Sequence, residues 1–243
     1  MNMPCGWIMP CCLSVLLIFE AVLLLEKVLS ILCQPLFLII LKMVLCMDVN
    51  SSELIEKIRE YALVAEKKSR FEHSVRVAQT AEYMCGLYGV DETKGYVAGL
   101  AHDMCKDLPD AEQLALAQED KEPISDAERN APSLLHGRAA AVKLRKEFGV
   151  TDSEVLEAVA RHTLGGTGMC ALSKIVYAAD KIEPGRPQST DSYRKKLFGM
   201  NLNDMTLAVL EENIAYLLSK GKKPAPESYA FKESLSGEHA GEH

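Results

Sequence analysis

The chain has 243 residues, 25% of them charged and 48% apolar, with a formal net charge of -7 at pH 7. That is room for one sizeable domain with the balance of an ordinary globular protein. An acidic chain without a basic run argues against nucleic acid as a partner, because phosphate backbones are held by Lys and Arg clusters, so any anionic ligand must be attracted by something local.

Residues 1–46 carry only Glu20, Glu26, Lys27 and Lys42 as charges, so the whole net charge falls on residues 47–243. Three readings of this apolar leader stay open: a membrane anchor, a secretory signal, and a stretch upstream of the true start. The signal is the weakest, since the first positive charge, Lys27, follows the apolar run instead of preceding it. A spanning helix needs about 20 uninterrupted apolar residues, and Glu20, Glu26, Lys27 and Pro35 interrupt this one. Glu20, Lys27 and Gln34 would give an interfacial helix a thin polar stripe. At Met47 the composition changes, and MDVNSSELIEKIREY reads as an ordinary soluble N-terminus. The expected division is a leader over 1–46, a domain over 47–225 and a polar, frayed tail over 226–243. Membrane contact is expected only if the leader is translated and retained. Five of the eight cysteines lie in the leader; Cys85, Cys105 and Cys170, without CxxC spacing, fit a reducing, cytoplasmic compartment.

From residue 51 onward apolar residues recur at helical spacing and nothing alternates with period two, which makes the fold class all-α. The spacing predicts helices over 52–66, 70–87, 92–107, 110–119, 135–148, 152–163, 171–182 and 203–219. Gly89 and Pro109 stop two of them, Thr151 and Glu154 form a capping box, and Gly165-Gly166 follow a helix end. Residues 183–192, EPGRPQSTDS, read as a loop.

His239 and His243 fall in the tail and read as solvated. The other four histidines sit on or near apolar faces: His73 with Val77, Ala81 and Met84, His102 after Ala98, His162 after Val155 and Val159, and His136 near a helix start. Asp180 continues Leu172 and Val176, and Asp103 adjoins His102. One buried histidine is more often a hydrogen-bonded core residue than a ligand, but buried carboxylates are costly without a partner. A bound cation resolves that cost. Imidazole and carboxylate donors without thiolates suit iron, manganese or another first-row divalent ion better than structural zinc. The small Gly99 and Ala101 leave room for helices to close around it.

The ordered blocks RFEHSVRVAQTA (70–81), AGLAHDMCKDLP (98–109), LLHGRAAA (134–141), ARHTLGGTGM (160–169) and KIVYAADKIEPGR (174–186) resemble the HD-domain metal-dependent phosphohydrolases, and among them the YqeK family, which resembles symmetrical bis(5'-nucleosyl)-tetraphosphatases. The resemblance runs over about residues 55–220. Lys181, where relatives carry an aromatic after the aspartate, and the segment PAPESYAFKESL depart from it, and the leader has no counterpart. The resemblance implies an all-α HD-domain bundle around a dinuclear metal site. One ion would take His73, His102, Asp103 and Asp180, the other Asp103, His136 and His162, with Asp103 bridging. It further implies two-metal hydrolysis of a phosphoanhydride, with diadenosine tetraphosphate cut into two ADP. Two divalent ions, iron foremost, would supply the positive field that an acidic protein lacks.

Asp103 and Lys106 are the expected catalytic residues. Lys106 either neutralises a phosphate oxygen or pairs with Asp107 or Asp110 at the surface. Arg70 and Arg186 are either phosphate forks or structural salt bridges, and Gly165-Gly166 either offer backbone amides to phosphate or only end a helix. Cys105 lacks a base and an orienting partner and reads as a core thiol. Other functions left open are hydrolysis of another nucleotide and a nucleotide-binding regulatory module. Self-association into a homodimer also stays open.

Overall fold

The computed structural model describes residues 51–238; the leader, the candidate start Met47 and the tail histidines lie outside the described residues. Among those described there is no strand, as the absence of alternating pattern predicts. The helices are α1 (51–65), α2 (Lys68–Tyr88), α3 (Glu92–Ala101), α4 (Asp110–Ala117), α5 (Asp126–Asn130), α6 (His136–Glu147), α7 (Ser153–Arg161), α8 (Ala171–Ile182), α9 (Asp191–Phe198), α10 (Leu202–Ser219) and α11 (Pro226–Glu238). None is long and apolar enough to cross a membrane.

The core is organised around α8, in which Leu172, Ile175, Val176, Tyr177, Ala178, Ala179 and Ile182 are all buried. A helix apolar on most sides must be covered on most sides, and α2, α3, α7 and α10 do so. The stripe Val77, Ala81 and Met84 on α2 is buried, as are Val155 and Val159 on α7. Gly99 sets how closely α3 approaches α2, because a Cβ there would stand 2.7 Å from Ala78 Cα.

Three expectations are corrected. The helix expected over 92–107 stops at Ala101, and the backbone continues in i to i+3 turns: Met104 N to Ala101 O, Lys106 N to Asp103 O and Leu108 N to Cys105 O. The cap of α7 is Asp152, whose side chain accepts from Glu154 and Val155 amides, not the Thr151 box. The tail expected over 226–243 is helical through Glu238, with Phe231 and Leu235 fully buried. Two apolar residues four apart bury one edge of a mostly polar helix against α10. Helices α5 and α9 also went unpredicted; Leu197 is the only buried apolar residue in α9.

Candidate metal centre

Three histidines stand where helices change course, and each uses the same bond. The Nδ1 of His102 lies 2.7 Å from Gly99 O, that of His136 2.7 Å from Ser133 O and that of His162 2.7 Å from Val159 O. A carbonyl can only accept, so each Nδ1 carries the proton and donates it. His102 and His162 are the C-caps of α3 and α7, where the last carbonyls lose their intrahelical partners. His136 opens α6 directly after the 3-10 turn Pro132–Leu135. The sequence thus meets a local folding need and, with the same bond, leaves each Nε2 as the lone-pair nitrogen turned inward.

Those nitrogens meet two carboxylates. Asp103 Oδ1 lies 3.0 Å from His136 Nε2 and 3.6 Å from His162 Nε2, and its Oδ2 lies 3.7 Å from His102 Nε2. Asp180 Oδ1 is 3.0 Å from His73 Nε2 and 3.8 Å from His102 Nε2. Three overlapping groups have ligand atoms all within 4.8 Å of one another: His73, His102 and Asp103; His102, His162 and Asp180; and Asp103, His136 and His162. All six residues of the expected ligand set are therefore brought together.

The donor set fits cations on two further observations. The His102 Nε2 is fully buried and has no hydrogen-bond partner among the described residues. The Nε2 atoms of His136 and His162 face each other at 3.0 Å; with both Nδ1 atoms protonated, two lone pairs point at each other, which calls for positive charge between or beside them. Burial pushes His102 down to about 3 and His136 down to about 4, so both rings are neutral, as ligands must be. Burial opposes ionisation of Asp103 and Asp180, yet the positive groups beside them, Arg70 at Asp103 and Lys181 with Arg186 at Asp180, hold both carboxyls well below the usual range.

The expected phosphate contacts surround this cluster. Arg70 Nε lies 2.9 Å from Asp107 Oδ2 and its Nη1 3.0 Å from Asp103 Oδ2. Arg186 donates from Nε to Asp180 O at 2.8 Å and from Nη2 to Asp180 Oδ1 at 2.6 Å. Lys106 is not paired with Asp107 or Asp110: its Nζ lies 3.0 Å from His136 Nε2 and 3.9 Å from Asp103 Oδ1. Burial lowers its ammonium. Gly165 has φ +73°, and a Cβ there would stand 2.3 Å from the Phe231 ring, so its lack of a side chain is required by α11. Gly166 lies against Arg161. Cys105 is buried with its thiol pushed up to about 12 by burial, which keeps it out of nucleophilic chemistry.

Sequence reasoning missed three neighbours, Glu183, Lys181 and Thr163. Glu183 is buried, accepts from His73 Nδ1 at 3.0 Å and from Arg76 Nε at 2.5 Å, and so fixes the fourth histidine. Burial opposes its ionisation, but these bonds hold its carboxyl at about 2. Glu183 is the C-cap of α8, three residues beyond Asp180. Lys181 Nζ lies 3.2 Å from Asp180 Oδ2, 3.1 Å from His162 O and 3.8 Å from the Tyr177 ring centroid. Thr163 Oγ1 is 3.3 Å from both His136 Nε2 and His162 Nε2.

The HD domain family matches residues 70–185. A Bacillus subtilis protein named symmetrical bis(5'-nucleosyl)-tetraphosphatase is 31% identical over 175 residues, 70% of this chain and 94% of its own length. Its namesake from Staphylococcus aureus is 32% identical over 168 residues, 68% of this chain and 86% of its own. A crystal structure of a predicted HD superfamily hydrolase involved in NAD metabolism, from Clostridium acetobutylicum, aligns with a TM-score of 0.70 at 31% identity, covering 75% of this chain and 97% of that one. An all-α bundle, a converging set of histidines and aspartates and relatives matched over nearly their whole length lead to one assignment: the chain belongs to the HD-domain family of symmetrical bis(5'-nucleosyl)-tetraphosphatases.

Proposed function

We propose that the protein is a metal-dependent hydrolase that cleaves diadenosine tetraphosphate symmetrically into two ADP. The observation that carries this reading is the convergence of four imidazoles and two carboxylates, with Nδ1 of each histidine already committed to an oxygen acceptor. His73, His102, Asp103 and Asp180 would hold one divalent ion, and Asp103, His136 and His162 the other, iron being favoured among first-row metals for a nitrogen and oxygen donor set. When bound, such ions supply Lewis-acid polarisation of phosphoryl oxygens and a nucleophilic water near neutral pH.

The chain's own cations bind and orient the substrate. Arg70 and Arg186 each have one anchored side, on Asp107 and on the Asp180 carbonyl, and one side facing the cluster. Each guanidinium therefore keeps its position while the other edge meets a phosphate oxygen. Lys106 presents a compact charge beside Asp103. These groups answer the question posed by a net charge of -7: the attraction for a polyphosphate is local.

The test is metal analysis of protein purified without chelators, followed by hydrolysis of diadenosine tetraphosphate with the products identified. Two ADP per substrate, with metal and turnover both lost in Asp103→Ala, is the expected result. AMP plus ATP, or rapid turnover of another nucleotide beside an untouched dinucleotide, would refute the substrate. Tight nucleotide binding without hydrolysis in the metal-loaded parent would favour a regulatory module.

A further inference from the structure

Two adjoining clefts of about 350 and 220 Å³ share Tyr83, Arg194 and Phe198 and together make a groove between α2 and α9. One wall is the α2 stripe Arg76, Thr80, Tyr83 and Leu87, spaced at three and four residues. Tyr83 is 59% exposed, an aromatic ring left open beside a groove instead of packed into the core. The Tyr83 and Phe198 rings are tilted by 56° with centroids 5.2 Å apart, so they support each other and leave an open face on Tyr83 rather than a slot between them. Around them stand Arg76, Arg194 and Lys195, with Arg194 paired to Asp191 and Arg76 to Glu183. Aromatic faces interleaved with cations are what a base and its phosphate bind to.

The inner end of the groove adjoins the metal centre. Arg76 Nε lies 2.5 Å from Glu183 Oε2, and Glu183 Oε1 lies 3.0 Å from His73 Nδ1, so two hydrogen bonds separate groove from ligand. Gly185 makes room for this arrangement, since a Cβ there would stand 2.5 Å from Arg76 Nε. The residue after it, Arg186, reaches Asp180. Cations thus continue from the cluster across the Pro184-Gly185 loop to the groove.

We infer, resting on the dinucleotide reading above, that this groove seats one outer purine nucleoside of the substrate and so sets which anhydride reaches the metal centre. A tetraphosphate offers three similar anhydrides, and a phosphate-binding centre alone does not distinguish them. A nucleoside anchored at a fixed remove does, because hydrolysis then falls on the bond held in place.

Tyr83→Ala, Tyr83→Phe and Lys195→Glu, all at exposed positions, test this in the metal-loaded protein with diadenosine tetraphosphate. Tyr83→Ala is expected to raise KM about tenfold, as the loss of one base-stacking ring does, and to release AMP and ATP beside ADP with metal content unchanged. Tyr83→Phe keeps the ring and behaves as the parent, and Lys195→Glu raises KM. A parent that yields two ADP while Tyr83→Ala keeps the parental KM and product pattern overturns the groove and leaves the function standing. If the parent does not cleave the dinucleotide, the function fails, and calorimetric titration of the same compound still reads the groove. Weaker binding in Tyr83→Ala then supports it, and equal binding overturns it.

Discussion

Glu66, between α1 and α2, gives the most direct test of the electrostatics beneath the cluster. It is 6% exposed, its Oε2 accepts from Ser74 Oγ at 2.9 Å, and its Oε1 is buried with no hydrogen-bond partner among the described residues. Burial pushes its carboxyl from 4.5 up to about 7, against the pull of the Ser74 bond. The folded protein therefore holds a proton that the unfolded chain releases near 4.5, so the contribution is fully present below 4.5 and is lost as pH rises through 7. The loss when ionisation is complete is on the order of 3 kcal/mol. Glu66→Gln keeps the shape and an acceptor for Ser74 but cannot ionise. In urea unfolding it should match the parent within about 1 kcal/mol at about pH 5 and exceed it by on the order of 3 kcal/mol at about pH 8.5, with an unchanged m-value. A variant no more stable than the parent at the higher pH would refute the claim that this carboxylate is buried without compensation.

Glu183→Gln should weaken metal binding about tenfold to a hundredfold, since it removes the carboxylate that orients His73; titration of metal into chelator-treated protein measures it. Adding divalent metal to such protein at about a hundred times its dissociation constant should stabilise it by about 3 kcal/mol in thermal unfolding, and His102→Gln should lose most of that gain. Phe231→Ala should cost about 3–5 kcal/mol in unfolding, because the ring is fully buried against Tyr177 and Gly165. It should also lower turnover, as Ser228 on the same helix donates to Leu164 O next to the loop that follows His162.

Periodicity made most of the bundle legible, because α2, α7 and α8 each bury a face wide enough to repeat at three and four residues. It failed where burial is narrow. In α9 only Leu197 is fully buried, with Tyr193 and Phe198 partly so, and in α11 the buried apolar residues are Phe231 and Leu235, so these helices are held by a few anchors that a moving window averages away. The six ligand-type residues were legible because each is costly to bury without a partner. Their supporting shell was not. Glu183 lies in a stretch read as a loop, and an exposed glutamate and one buried between His73 and Arg76 look the same in sequence.

The departures from the expected helices explain the site better than the expectations did. Had residues 92–107 formed one helix, the amide of Asp103 would have bonded Gly99 O, the carbonyl that His102 Nδ1 takes instead. The helix ends at Ala101, the next residues turn at i+3, and Asp103 swings within 3.0 Å of His136 on another helix. The same competition at Val159 O ends α7 at Arg161 and turns His162 inward. A histidine that caps its own helix in this way costs the fold little, because the carbonyl needed a donor. It also has its tautomer chosen before any metal arrives. Replacing His102 or His162 should therefore do two separable things: remove a proposed metal ligand, and let the helix end fray. Asparagine, which can donate to a nearby carbonyl but offers no ring nitrogen, should retain more of the stability than alanine while restoring none of the metal affinity. Equal stability of the two variants in chemical unfolding would show that the cap contributes nothing to the fold.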